Sequence, residues 1–501
     1  MMKDRKTMVA LDCGNSSFRV VLGQYRDGKI ESTVIDQFPN EMVRIGDYFY
    51  WDFLLIFRQF KESLRKIVKQ GKHIDSIGIC TWGVDFGLFD KDGNLLSNPL
   101  SYRNSIGEEV LSGLEEEQRS RLFYQTGILC DKINSLYMMT GMKRYFPEIV
   151  SAADRCLMIP DILNYFMTGV MVNEPSELST TQLMNAKERT VDKDVCEQFG
   201  IPTSWFGEIA CHGKKIGMVR EDILKEIGAD YDIPVVCVPS HDTASAVAAI
   251  PAAEDSFGFV SCGTWSLIGT ELEEPVCNEA VKEAELTNEV GAFGRITLLK
   301  NSSGMFIVNR LKKEYDYSRG VKSSWDEITE MAQSCDSSAV IDLNDNAFFN
   351  PESMSEAVWE YLVRTKQTKG DLKWPVLFKT FYESLACCYA VTLRDIEQIT
   401  GKTFEKVYIV GGGASSRVLI DLTAQHTGKP VIVCYGESTA MGNLAVQLKY
   451  FDQNLTLEDI RKIISVSYKT EEFAVCTERP EVLKKYETIT GRRENSEPAD
   501  Q

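Results

Sequence analysis

The sequence predicts an α/β protein built from two similar domains that face each other across a cleft. Three observations predict it: a length beyond one core, an order of elements that recurs in the two halves, and a small-residue loop at the same point of each half. At 501 residues the chain exceeds what one ordinary core supports, so two domains are expected. In the first half, strand-like runs at 8–11 and 18–25 flank Asp12-Cys-Gly-Asn-Ser-Ser17, whose turn-forming residues predict a tight hairpin loop. Asp27-Gly28 turns the chain into a third run at 30–36. Behind Trp51-Asp52, the residues Phe53, Phe57, Phe60, Leu64, Ile67 and Val68 fall on one face of a predicted amphipathic helix. A strand over 74–80 then ends in Thr81-Trp82-Gly83.

The second half repeats that order. A strand over 256–261, the loop Cys262-Gly263-Thr264 and a strand over 265–270 form a second hairpin. Pro375 opens a long helix carrying Phe378, Phe381, Leu385, Cys388, Thr392 and Ile396, and Gly401 ends it. A strand over 406–410 runs into Gly411-Gly412-Gly413. Hairpin, helix and glycine-ended strand, once per half, read as an internal duplication. Between the halves, a buried-type strand over 233–239 leads to Ser240-His241-Asp242-Thr243 and a short helix over 244–250, with a hinge at 251–255. The last twelve residues are polar and read as a frayed end.

Composition narrows the function. A formal charge of −18 with no basic stripe repels nucleic acid. It leaves ATP possible, because magnesium and backbone amides can carry the triphosphate. No uninterrupted apolar run approaches the roughly 20 residues of a membrane span, and the N-terminus lacks a secretory signal, so a cytoplasmic protein is expected. Fourteen cysteines are scattered from Cys13 to Cys476 without a C-x-x-C pair, and the four histidines show no H-x-x-x-H spacing. Reduced, buried thiols are expected, without structural zinc.

Four loops can carry chemistry, and each also has a plain structural reading. Asp12, at the end of a central strand beside Gly14, can hold magnesium directly or through water, or can simply bond its own turn. In Ser261-Cys-Gly-Thr264 the glycine admits an anion and the hydroxyl can bond phosphate, though a simple turn needs the same residues. Matched with the loop at Asp12, it reads as the second side of a phosphate clamp. Gly411-Gly412-Gly413 lets a ligand lie on the backbone, or forms a tight strand-to-helix turn. It is not a dinucleotide fingerprint. Asp242 is placed either to cap the helix over 244–250 or to accept the proton of an attacking alcohol. Trp82 and Trp265 can line a sugar pocket or pack in a core, and Asp85 can bond sugar hydroxyls or local backbone.

The runs DCGNSS (12–17), GICTWGVDF (78–86), SHDTASA (240–246), SCGTWSL (261–267) and YIVGGGA (408–414) resemble, in order, those of the FGGY carbohydrate kinases. With TNEVGAFGRITLLKN (287–301) and GESTAMGN (436–443), the pattern over roughly 8–450 is most similar to the rhamnulokinase branch of that family. The resemblance implies two actin-like, ribonuclease H-like domains, residues 1–247 mainly binding sugar and 248–501 mainly binding ATP. It implies ATP and Mg2+ as co-substrate and metal, a small ketose as partner, and a monomer or homodimer. Carried over residue by residue, it makes Asp242 the general base and places Gly83, His241, Thr243 and Asn301 at the sugar. Asn15, Ser16, Ser17, Phe18, Arg19, Thr264, Asn309 and Gly412 would line the nucleotide, and Asp12 would organise magnesium. The implied reaction phosphorylates the C1 hydroxyl of L-rhamnulose.

Three departures from the family pattern stand out. Phe18 replaces a glycine and should crowd the first turn. Cys80 stands where rhamnulokinases commonly carry Asp and should alter a contact behind Gly83. Asn309 shortens a Gln. The alternatives are another sugar of the same family (L-fuculose, L-ribulose, L-xylulose or glycerol), an actin-like ATPase scaffold, or a sugar-binding regulator without catalysis. The last two leave a carboxylate poised for a hydroxyl acceptor unexplained.

Overall fold

The computed structural model describes residues 5–253, 256–349, 351–475 and 479–492. Cys476, two residues of the expected hinge (Glu254 and Asp255) and most of the expected frayed end lie outside the described residues. The chain forms two compact units. The first holds Met1–Ala253 and takes back two later segments, Glu271–Leu298 and Glu437–Tyr468; the second holds Glu254–Thr270, Leu299–Gly436 and Lys469–Gln501.

In the first unit, Lys6–Cys13 and Ser17–Arg26 form the expected antiparallel hairpin, and Lys29–Pro39 extends it. Ser76–Thr81 then lies parallel to Lys6–Cys13, followed by Pro234–Val236 and an antiparallel edge, Lys215–Met218. Period-2 alternation sorts the opening strand between two cores. Val9, Leu11 and Cys13 face the helix Phe53–Lys69, while Met8 and Ala10 face the helix Ser438–Phe451. Asp52 caps the former helix by accepting from Leu55 N. Its buried stripe includes Ile56 in full, with the predicted Phe57 and Val68 half-buried at the margins.

Two glycines let the helix Ser438–Phe451 lie close. A Cβ at Gly78 would stand 2.3 Å from Asn443 Oδ1, and one at Gly442 would stand 1.8 Å from Ser245 O in the helix Asp242–Ala248. Gly442→Ala must therefore push two packed helices apart. It should cost roughly 2–3 kcal/mol, read as a lower urea midpoint at an unchanged slope.

The second unit repeats the topology. Gly258–Cys262 pairs antiparallel with Trp265–Leu272, which neighbours Ile296–Ser303. On its other side run Val407–Val410 and Val431–Tyr435, both parallel, and an antiparallel edge, Lys469–Phe473. The long helix, Trp374–Thr400, ends at Gly401 in the left-handed conformation. It is buried on nearly every face through its middle, Tyr382, Cys387 and Tyr389 as well as the predicted residues. Among the described residues it alone has the length and composition to cross a membrane, and it lies in the core. All thirteen cysteines among the described residues are free thiols.

Candidate active site

In the first unit, three strand ends bring the sugar-site and metal-site residues into one row. Cys13 pairs with Thr81, and Thr81 forms a parallel bridge with His241. Thr81 N donates to Ser240 O at 2.7 Å. Asp12 and Asp242 thus stand at the same end of one sheet, on either side of the strand Ser76–Thr81, where open α/β sheets gather ligands.

The helix after Ser240 begins at Asp242, with His241 in the cap position and no side-chain cap bond. The capping reading of Asp242 is therefore corrected: its carboxylate is free of that duty. About 31% of the side chain is exposed. Thr243 is buried, and its hydroxyl donates to Asp242 Oδ1 at 3.3 Å. Burial raises the Asp242 pKa, while the neighbouring His241 charge opposes the rise.

His241 has a carboxylate close to each ring nitrogen. Its Nδ1 lies 3.2 Å from Glu289 Oε2, and its Nε2 lies 3.5 Å from Asp242 Oδ1. Its backbone N–H donates to Ser176 Oγ at 3.0 Å, and Ser176 in turn donates to Glu174 at 2.6 Å. Glu174 is buried against His212 Nε2, and Phe293 N donates to His212 Nδ1 at 2.9 Å. Because a backbone N–H can only donate, the proton of a neutral His212 sits on Nε2 and goes to Glu174. Burial works against an ionised Glu174, yet these donors hold its pKa below the ordinary value.

Gly83 is tightly packed: a Cβ there would lie 3.0 Å from Thr180 Cγ2 and 3.3 Å from His241 Cδ2, so these side chains would have to give way. Val84, next to it, takes a φ of +70°, unusual for a β-branched residue. Thr180 Oγ1 receives the Val84 N–H at 3.0 Å, and the Ser135 hydroxyl donates to its carbonyl. Strain of this kind, on the order of 1–3 kcal/mol, persists where surroundings over-determine it. Asp85 is buried beneath this loop and accepts both indole N–H groups, Trp51 at 2.6 Å and Trp82 at 2.9 Å. Burial pushes its pKa up to about 7 against these donors. Trp82 is therefore a packing residue, its ring tilted against Trp51 with centroids 4.2 Å apart, whereas Trp265 of the second unit is exposed.

Asp12 is buried, and Arg19 Nη1 stands 3.7 Å from its Oδ2, beyond hydrogen-bond length. Arg19 also meets Glu437 at 3.3 Å. Burial drives the Asp12 pKa up to about 7; Arg19 opposes the rise, and Asp242 and Glu437 add to it. No group of three or more His, Cys, Asp or Glu side chains able to hold a metal occurs among the described residues. A magnesium ion delivered with a nucleotide needs only one or two protein carboxylates, and a buried carboxylate short of hydrogen bonds suits it. The following loop closes through Gly14 N to Ser17 O at 3.0 Å, and Asn40 clamps it from Nδ2 to Gly14 O at 2.8 Å. Asn15 Oδ1 is buried without a partner in that loop, and Ser16 is exposed.

Two departures are corrected here. Phe18 does not crowd the turn; its ring is buried on Phe38 at 5.0 Å, so only its backbone can face a nucleotide. Cys80 lies beside Asp12 in register, not behind Gly83, its thiol on Leu11 O at 3.3 Å and Asn443 Nδ2 on its sulfur at 3.3 Å.

In the second unit, Cys262-Gly263-Thr264 is the common neighbour of the predicted nucleotide residues. Gly304 N donates to Thr264 O at 3.2 Å and Met305 N to Gly263 O at 2.9 Å, which seats the helix Phe306–Arg319 on the loop. Asn309 is exposed on that helix's first turn, and Asn301 is exposed on the preceding strand. The three glycines differ in purpose. A Cβ at Gly413 would strike Cys262 Sγ at 2.1 Å, and Gly411 needs its φ of +85°. Gly411 and Gly412 are exposed, and a Cβ at Gly412 would meet nothing nearer than Cys262 O at 4.0 Å, so its backbone is open to a ligand.

Residues 7–249 match the N-terminal domain, and 258–449 the C-terminal domain, of the FGGY family of carbohydrate kinases. The chain belongs to this family. It is 35% identical to a rhamnulokinase of Bacteroides thetaiotaomicron, covering 92% of this chain and 94% of that one. It is 34% identical to a rhamnulokinase of Oceanobacillus iheyensis, covering 94% and 98%. Among solved structures, a gluconate kinase from Lactobacillus acidophilus superposes with a TM-score of 0.79 at 15% identity over 98% of this chain and 97% of that one. A Plasmodium falciparum glycerol kinase with ADP gives 0.78 at 14% identity over 99% of each. Both units of this FGGY kinase thus carry the actin-like, ribonuclease H-like fold, and the chain is a carbohydrate kinase.

Proposed function

We propose that this carbohydrate kinase transfers the γ-phosphoryl group of ATP to the C1 hydroxyl of a ketose, and that the ketose is L-rhamnulose. The observation that carries the reading is Asp242: a partly exposed carboxylate at a strand end, with no capping duty, beside the His241 ring and electrostatically coupled to Asp12. Phosphoryl transfer asks little covalent chemistry of a protein, so positioning and charge dominate. Asp242 accepts the C1 hydroxyl proton as the oxygen attacks phosphorus, and Thr243 holds Asp242 Oδ1 in place. The backbone at Gly83 and the edge of His241 bind and orient the ketose, with Asn301 a further sugar contact. Asn15 to Arg19, Thr264, Asn309 and Gly412 bind the nucleotide. Asp12 would hold magnesium, which would supply charge neutralisation at the phosphates. The sugar assignment is supported by rhamnulokinase relatives that match nearly end to end. Free thiols throughout the described residues support a reducing, cytoplasmic setting.

The test is a coupled assay of ADP release over L-rhamnulose, L-fuculose, L-ribulose, L-xylulose and glycerol. The highest kcat/KM is expected on L-rhamnulose. A higher value on any other acceptor would reassign the sugar, and release unaffected by every acceptor would return the chain to the ATPase-scaffold reading.

A further inference from the structure

We propose that Glu289 is a positioning residue for phosphoryl transfer, holding the His241 ring by Nδ1 so that a cationic imidazole stands against the Asp242 carboxylate. The inference rests on the reading of Asp242 as general base. Glu289 lies on the strand Thr287–Val290, far from His241 in sequence yet within the same unit. Its Oε2 is 3.2 Å from Nδ1, while Asp242 Oδ1 is 3.5 Å from Nε2 on the ring's opposite edge. Either neutral tautomer would aim a lone pair at an anion, so a carboxylate at each nitrogen favours the doubly protonated ring.

The groups packed around the ring act in one direction. Glu289 faces it from its strand, Asp242 from its own helix, and Glu174 from the residue preceding the helix Pro175–Thr180. Burial works against the charged ring, but these three carboxylates outweigh it and lift its pKa to about 9. Burial pushes the pKa of Glu177, on the same helix as Ser176, well above the ordinary carboxylate value. On the far side, the Asp242 charge raises the pKa of Asp12. Ser176 already fixes the His241 backbone, so Glu289 is left to set the ring's orientation and charge.

The imidazolium matters because burial alone would leave Asp242 reluctant to ionise; the His241 charge is the leading opposing influence. Glu289 touches no reacting atom in this scheme. It acts through His241, whose charge favours the ionised base; the Glu289 charge itself acts on Asp242 in the opposite direction, and less strongly.

With only four histidines in the chain, the His241 ring can be followed by NMR on the full-length protein and assigned by its loss in His241→Asn. In the wild type it is expected to titrate near pH 9. In Glu289→Gln it should titrate at about 7 or below, near the unperturbed range for histidine. The kcat/KM profile should narrow from both sides, its acid limb moving up and its alkaline limb down. About a tenfold loss near pH 7.5 would follow, mainly in kcat, on the scale of one displaced charge. Glu289→Asp should recover part of the ring's high titration. An unchanged His241 titration in Glu289→Gln, or a loss uniform across pH, would overturn the proposal. If Asp242→Asn retains turnover, the base reading fails on its own, and the His241 titration still reports whether Glu289 governs the ring.

Discussion

Asp242→Asn is expected to lower kcat by about 10²- to 10⁴-fold, the usual contribution of a positioned general base. The substitution preserves volume, and the amide oxygen it introduces can still accept from the Thr243 hydroxyl, as the carboxylate does. It adds no burden at the helix start, because the Asp242 side chain makes no cap bond there. What it removes is the one group at this strand end able to take a proton from an attacking alcohol. The KM for sugar should change by less than the kcat, since ground-state contacts at Gly83 and His241 remain. Loss confined to KM would assign Asp242 to binding, and near-normal turnover would remove it from the mechanism.

Asp12→Asn should separate stability from activity. Asp12 is buried, with a folded pKa of about 7 against the ordinary 3.8. A carboxyl whose folded pKa is raised contributes its full stability below the unfolded value and loses it as pH rises through the folded one. The wild type therefore loses stability from this group between about pH 4 and pH 7, by at most about 4 kcal/mol. Asn does not ionise. The variant should melt several degrees higher than wild type at pH 8, with the gain shrinking toward pH 4. Magnesium with ADP should raise the wild-type Tm at pH 8 by more than it raises the variant's, because only the wild type offers the carboxylate to the metal. Activity should fall on the order of a hundredfold, the scale of one lost electrostatic contact in the transition state. Equal response of both proteins to magnesium and ADP would detach Asp12 from the metal.

The same buried carboxylate that serves the nucleotide thus strains the free protein, as functional sites commonly do. It also explains why much of the fold could be read from sequence and the site only in part. The two hairpins were legible because Asn, Ser and Gly between alternating apolar runs leave few other conformations. The helix Phe53–Lys69 was legible because one of its faces stays polar. The helix Trp374–Thr400, buried nearly all round in its middle, offers periodicity little to mark. The helix Ser438–Phe451 carries no local sign that it covers the sheet of the first unit; Gly78 and Gly442 decide that, through contacts hundreds of residues away.

At the site, Asp12, Gly83, His241 and Asp242 sit on strand ends that local pattern locates. Glu289 lies in the family-like run 287–301 without a role read for it, and Glu174 and His212 connect to the His241 backbone through Ser176; only the fold joins them. Asp242 looked like a cap because Asp before an alanine-rich run usually is one; the helix instead starts two residues early, at Asp242 itself. The sequence signal that could have drawn attention to Glu289 was an acidic residue in a short strand of otherwise neutral composition, weak until its partner is known.

The central claim is transfer to the primary C1 hydroxyl, and proton-coupled phosphorus NMR of the product made from L-rhamnulose and ATP tests it most directly. A phosphate ester on C1 couples to two protons and should give a triplet. A doublet, the mark of phosphorylation at a secondary carbinol, would contradict the account, as would inorganic phosphate alone.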